Sequence, residues 1–132
     1  FWVLCSGGIN DQIPKLYQID PASNSILQTL AFGSINEGPG NLCIDPTGSI
    51  LFFENSGVFS MDISSTALPT TALIPANGRI LYSLAVDPNT GEIYFSDAID
   101  YVQASDVYRY STSGNLVESF KGGTITTAFW FE

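Results

Sequence analysis

Short apolar runs alternate with polar turn dipeptides along the whole chain. No stretch keeps apolar residues at the i, i+3, i+4, i+7 spacing of a buried helix face. Aromatic and β-branched residues crowd the runs, while Gly, Pro, Asn, Asp and Ser crowd the breaks, the pattern of strands joined by tight turns. The expected fold class is all-β.

The runs repeat. "LCIDPTGSILFFEN" (Leu42 to Asn55) lines up with "LAVDPNTGEIYFSD" (Leu84 to Asp97), and Leu42 to Leu84 and Asp45 to Asp87 both span 42 residues. Matching Ile50 with Ile93 places one additional residue in the second turn, a spacing of 43. That match makes Glu54 the counterpart of Asp97 at the end of the second strand, with Cys5 at the same place in the first copy. "KLYQIDP", "GVFSMDI" and "DVYRYST" then correspond, and "SILQTLAF", "TTALIPA" and "NLVESFKG" follow them as further strands.

Four strands in each period of about 42 residues predict a β-propeller blade. With strands lettered A to D outward from the hub, residues 1–33 read as B-C-D of a first blade. Residues 42–76 and 84–122 read as a second and a third blade, and 124–132 as a terminal closing strand. The expectation is a β-propeller fragment of about three antiparallel blades, four-stranded where complete. Such a fragment exposes broad apolar faces, so the remaining blades of the same propeller, or self-association, are expected to cover them.

The repeat also assigns the Asp-Pro dipeptides. Asp45-Pro46 and Asp87-Pro88 precede Thr47-Gly48 and Asn89-Thr90-Gly91, where proline presets a turn and the carboxylate accepts backbone N–H groups. "DPNTGE" therefore reads as a turn and not as the start of a calcium loop, which needs a bidentate Glu at position 12. Cys43 aligns with Ala85 and reads as a small buried filler. Cys5 has no neighbour that would activate a thiolate.

Charge narrows the function. The 132 residues carry 13 acidic and four basic side chains, a net charge of -9, which argues against nucleic acid and anionic membrane surfaces. There is no histidine, so Ser-His-Asp and Cys-His catalysis and His-ligated metal sites are excluded. No apolar run approaches the roughly 18 residues of a membrane span, so no transmembrane segment is expected. Two cysteines do not define a disulfide framework. The chain opens inside a strand and reads as a mature segment or an excised piece.

Candidate binding residues come from loops lengthened on one face. From strand B to strand C the second blade takes 8 residues (Ile50 to Val58), the first 15 (Phe1 to Leu16) and the third 14 (Ile93 to Val107). The insertions are "GGINDQIP" and "AIDYVQAS", and loops lengthened on one face of a repeat scaffold often carry binding. Asp97, Asp100, Tyr101 and Gln103 suit a polar, ring-bearing ligand or a sugar through hydrogen bonds and stacking. The loops entering strand A add Asn36, Glu37 and Asn41, then Asn77, Arg79 and Tyr82. Arg79 suits a carboxylate or phosphate, or an ion pair with Glu37 or Glu54. Carboxylates of successive blades, Glu54 and Asp97, suit Ca²⁺, as in metal-dependent propeller lactonases. No catalytic residue, cofactor or metal is assigned.

"LYQIDPASNSILQTLAF", "LCIDPTGSILFFENSGVFSMDI" and "LAVDPNTGEIYFSDAIDYVQASDVYRYSTSGNLVESF" resemble the YncE-like, surface-layer-type seven-bladed propellers of gut Bacteroidetes. The resemblance spans essentially the whole chain and corresponds to the last three or so blades of such proteins. It implies a secreted, often lipid-anchored protein of the periplasm or cell surface, associated with outer-membrane nutrient transporters, one branch of which captures cobalamin. The expected function is a non-catalytic binding module for a small ligand or protein partner. The alternatives are a Ca²⁺-dependent lactonase and a structural surface-layer component.

Overall fold

A computed structural model describes residues 1–8 and 11–132 of the chain. The described residues form eleven strands and no helix, in three antiparallel sheets. The first sheet holds β1 (Trp2–Cys5), β2 (Lys15–Ile19) and β3 (Ile26–Ala31) in that order. The second holds β4 (Gly40–Ile44), β5 (Ile50–Glu54), β6 (Gly57–Asp62) and β7 (Ile74–Pro75). The third holds β8 (Leu81–Val86), β9 (Ile93–Asp97), β10 (Ala104–Tyr110) and β11 (Leu116–Thr124). Each sheet is a meander of neighbouring strands, and the starting strands β4 and β8 lie against each other, with β1 against β4. This is the arrangement of consecutive propeller blades around a hub, left open rather than closed.

Alternation along each strand builds the core between sheets. Trp2, Leu4, Leu16 and Leu30 of the first sheet meet Leu42, Leu51, Phe53 and Met61 of the second. The opposite face of the second sheet presents Cys43, Ile50, Phe52 and Val58 to Leu84, Val86, Ile93 and Phe95 of the third. Phe53 anchors the first interface, edge-on to Phe32 at 5.8 Å and stacked on Phe59 at 5.6 Å. One strand pairing therefore serves two interfaces, because successive side chains leave opposite faces.

Strand register corrects the sequence alignment by one residue. Ile44 pairs with Leu51 and Val86 with Ile93; Cys43 pairs with Phe52 and Ala85 with Tyr94. The spacing of 42 thus continues through the second strand, and both turns have the same length. Asp45 N–H donates to Ile50 O and Asp87 N–H to Glu92 O, each at 2.9 Å. Only the glycine moves, from Gly48 to Gly91, both with positive φ. The structural counterpart of Glu54 is therefore Ser96, and that of Asp97 is Asn55. Because side chains alternate faces, Glu54 and Asp97 belong to opposite faces of their blades.

Two further expectations change. "TTALIPA" yields only the two-residue β7, because Pro69 and Pro75 lack the N–H that a ladder needs and the long connection runs outside the sheet. The terminal segment also differs: β11 extends through Thr124, and residues 126–132 form no strand. They cross the far face of the third sheet instead. The hydroxyls of Ser83 and Ser96 donate to Thr126 O at 3.1 and 2.8 Å, and Thr126 N–H donates to Ser105 Oγ at 3.1 Å. Phe129 and Phe131 then pack on Tyr94, with ring centroids at 6.0 and 5.2 Å. Tyr94 occupies the repeat place of Trp2 and Phe52, which the neighbouring blade covers. In the third sheet the tail lies over that row.

Candidate binding site at the loop rim

One end of the three sheets carries tight turns built on aspartates. Asp45 accepts from the N–H groups of Thr47, Ser49 and Ile50 and from the Thr47 hydroxyl. Desolvation works against its ionisation, but Thr47 and these amides outweigh it and hold the carboxyl down at about 2. Asp20, Asp62 and Asp87 are lowered in the same way, chiefly by Ser23, by Ser64 and by the Asn89 amide. Each depressed carboxyl contributes stability above its unfolded value, 3.8, which is lost as pH falls through the folded value. The chain is accordingly expected to lose urea resistance between about pH 4 and pH 2. Asp45→Asn should flatten that acid limb, as read from urea midpoints across the interval. An unchanged pH slope would show that the turn carboxylates do not drive it.

The opposite end is the rim where the longer loops gather. Glu37 lies there, its carboxylate accepting from Asn55 Nδ2 at 2.6 Å. Asn41, at φ 52°, donates through Nδ2 to Glu54 Oε2 at 2.7 Å and to Tyr82 O at 3.1 Å, tying the second blade to the third. Burial raises the Glu54 pKa and the Asn41 bond partly offsets that rise. Asn36 sits in a Ser34-bonded turn through its backbone N–H, and Asn77 in the β7–β8 turn at φ 52°.

Arg79 does not reach Glu37 or Glu54. Its Nε and one terminal nitrogen donate to Ala76 O and Pro75 O, each at 2.8 Å, and the other terminal nitrogen donates to Tyr110 Oη at 3.0 Å. The guanidinium centre lies 4.8 Å from the Tyr108 ring centroid and 5.1 Å from that of Phe95. All three nitrogens have protein partners, so the side chain pins the β7–β8 turn to the third sheet.

The loop of residues 98–103 is built from within. Asp97, buried, accepts from Ile80 N–H and Ile99 N–H through Oδ1, both at 2.9 Å. Asp100 accepts from the side-chain amide of Gln103 and from the N–H groups of Gln103 and Val102, and these hold its carboxyl down at about 2. On either side of Asp100, Ile99 and Tyr101 take φ of 57° and 64°. Such a conformation is costly for non-glycine residues, above all for a β-branched one, and is kept only where surroundings enforce it. The result places Tyr101 edge-on to Tyr82 at 5.9 Å, with 49% and 40% of the two side chains exposed. The first-blade insertion includes Ile9 and Asn10, which lie outside the described residues.

The ten candidate residues thus divide. Tyr82 and Tyr101 come together as an exposed aromatic pair, with Asn41 alongside. Asp97, Asp100, Gln103 and Arg79 spend their polar groups on the loops themselves. The carboxylates once paired for Ca²⁺ are engaged separately, Glu54 by Asn41 and Asp97 by backbone amides. Among the described residues no group of three or more His, Cys, Asp or Glu side chains gathers as a metal site. Asn55 is the rim residue that sequence comparison passed over; the unbroken spacing of 42 to Asp97 was the signal. Burial pushes the Cys43 thiol up to about 12, in keeping with a packing role, while Cys5 is exposed. Among the described residues no helix is long and apolar enough to cross a membrane. No family model matches the chain, and no curated protein shows significant similarity to it.

Proposed function

We propose that this chain is a non-catalytic β-propeller module of the bacterial cell envelope, binding a ring-bearing ligand or a protein partner at its loop rim. The observation that carries the reading is the Tyr82–Tyr101 pair. Two exposed aromatic side chains are held in contact by a loop whose backbone is forced into left-handed conformations and fastened by two buried or amide-saturated carboxylates. Strain of this kind concentrates at functional positions, and aromatic platforms rimmed by amides bind sugars and heterocycles by stacking. The resemblance to surface-layer-type propellers supports export to the periplasm or cell surface, a place in a seven-bladed ring, and nutrient capture of the cobalamin kind beside an outer-membrane transporter.

Thermal-shift titration with cyanocobalamin and with a panel of oligosaccharides tests the reading. A ligand that stabilises the chain should bind about tenfold or more weakly to Tyr101→Ala and to Tyr82→Ala. Affinity unaffected by both substitutions would remove the rim as the site. Protein partners recovered in the absence of any small ligand would favour a scaffold instead.

A further inference from the structure

The inner edge of the first sheet is open, and the repeat says what fits it. In the second and third sheets, β4 and β8 pair along the inner edges of β5 and β9. β1, the counterpart of β5 and β9, has no strand on that side among the described residues. Phe1 and Ile19 exchange backbone hydrogen bonds, N–H to O at 2.8 Å in both directions. The antiparallel alternation therefore turns the N–H and C=O groups of Trp2 and Leu4 toward the open edge. Beside that edge, Phe1, Trp2, Leu42, Cys43, Ile44 and Leu51 line an apolar groove of about 300 Å³.

We infer that this edge accepts an extended segment carrying the chain's own inner-strand pattern, a Leu-small-β-branched run entering an Asp-Pro turn. Three observations specify the occupant. β4 already lies against β8 on one side, and the groove continues that row of inner strands on the other. The register places a small residue opposite the inward aromatic each time, Cys43 opposite Phe52 and Ala85 opposite Tyr94; the corresponding residue would sit opposite Trp2. The Asp87 N–H donates across the pair to Glu92 O, so in β8 the amides of Ser83 and Ala85 face β9. Main-chain pairing gives such an addition its affinity and the alternate side-chain pockets give it specificity.

The test uses the 132-residue chain with Trp130→Phe, a substitution at a side chain 89% exposed, so that Trp2 is the only tryptophan. The probe is the capped octapeptide LYSLAVDP, residues 81–88. A saturable shift of Trp2 emission to shorter wavelength is expected. Methylating the peptide nitrogens at the Ser83 and Ala85 places should weaken binding about tenfold or more, by removing two ladder bonds. Methylation at the Leu84 and Val86 places, whose amides face away, should retain it. Tryptophan in place of Ala85 should abolish the shift, because the ring would meet Trp2.

No shift up to about 1 mM peptide, equal binding of both methylated peptides, or equal binding of a scrambled octapeptide would overturn the inference. So would sedimentation showing that the chain alone dimerises through β1 and so leaves no edge for the peptide. Calorimetric titration of the unsubstituted chain with the same peptides guards against an effect of Trp130→Phe.

Discussion

Phe95→Ala is expected to lower the stability of this chain by about 3–5 kcal/mol, read as a drop in the urea midpoint. Phe95 is fully buried and stacks on Tyr108 at 5.2 Å and Tyr110 at 5.5 Å, with the Arg79 guanidinium over its face. Truncation removes the transfer free energy of the ring and leaves a cavity between the second and third sheets. It also strips one wall from Arg79, and with it part of the attachment of the β7–β8 turn. A domain holds only about 5–15 kcal/mol in total, so the variant should sit near the edge of folding. Phe95→Leu, which keeps most of the volume, should cost far less, about 1–2 kcal/mol. A loss below about 1 kcal/mol for the alanine variant would mean that the interface between these blades is not the main source of stability.

Asp97→Ala should cost about 2–4 kcal/mol, although no charged partner is lost. The carboxylate accepts from two backbone amides, Ile80 and Ile99, in a buried position at the junction of the β7–β8 turn and the 98–103 loop. Alanine leaves both donors without their acceptor, and a buried donor without an acceptor costs more than a made bond contributes. Asp97→Asn retains an oxygen for both amides and should cost roughly half as much. The distinguishing measurement is hydrogen exchange across residues 98–103. Protection there should fall in the alanine variant, because the Asp97 carboxylate holds the Ile99 N–H and so supports the turn that the Asp100 and Tyr101 amides close onto Ala98 O. Loss of that geometry should also separate Tyr101 from Tyr82 and weaken any rim ligand, which makes Asp97 a positioning residue. Equal costs for Ala and Asn would instead assign its role to charge.

Much of the fold was legible because its signals are local. Strand runs, Asp-Pro turns and a 42-residue period depend on neighbours a few residues apart, and the observed sheets follow them from β1 to β11. The rim was legible only as a set of loops. Tyr82 and Tyr101 are polar-tipped aromatics whose meeting depends on two left-handed residues, and neither Ile99 nor Tyr101 advertises that conformation, as a glycine would have done. Arg79 looked like a ligand clamp because its partners, the rings of Phe95 and Tyr108 and the Tyr110 hydroxyl, lie in other strands.

Short-range chemistry thus determines that the chain is all-β, that its strands come in repeating groups of up to four, and that Asp45 and Asp87 build turns. Three things needed the assembled structure. The pairing of Ile44 with Leu51 and Val86 with Ile93 moved the repeat by one residue and so placed Glu54 and Asp97 on opposite faces. The hydrogen bonds of Asp97 turned a suspected ligand group into a support for the loop. The path of residues 126–132, expected as a strand, became a cover over Tyr94. The reason is common to all three. A one-residue slip leaves the apolar pattern of a single strand almost equally plausible, and only contacts with neighbouring strands and blades make one register, one carboxylate partner and one tail path lower in free energy than the rest.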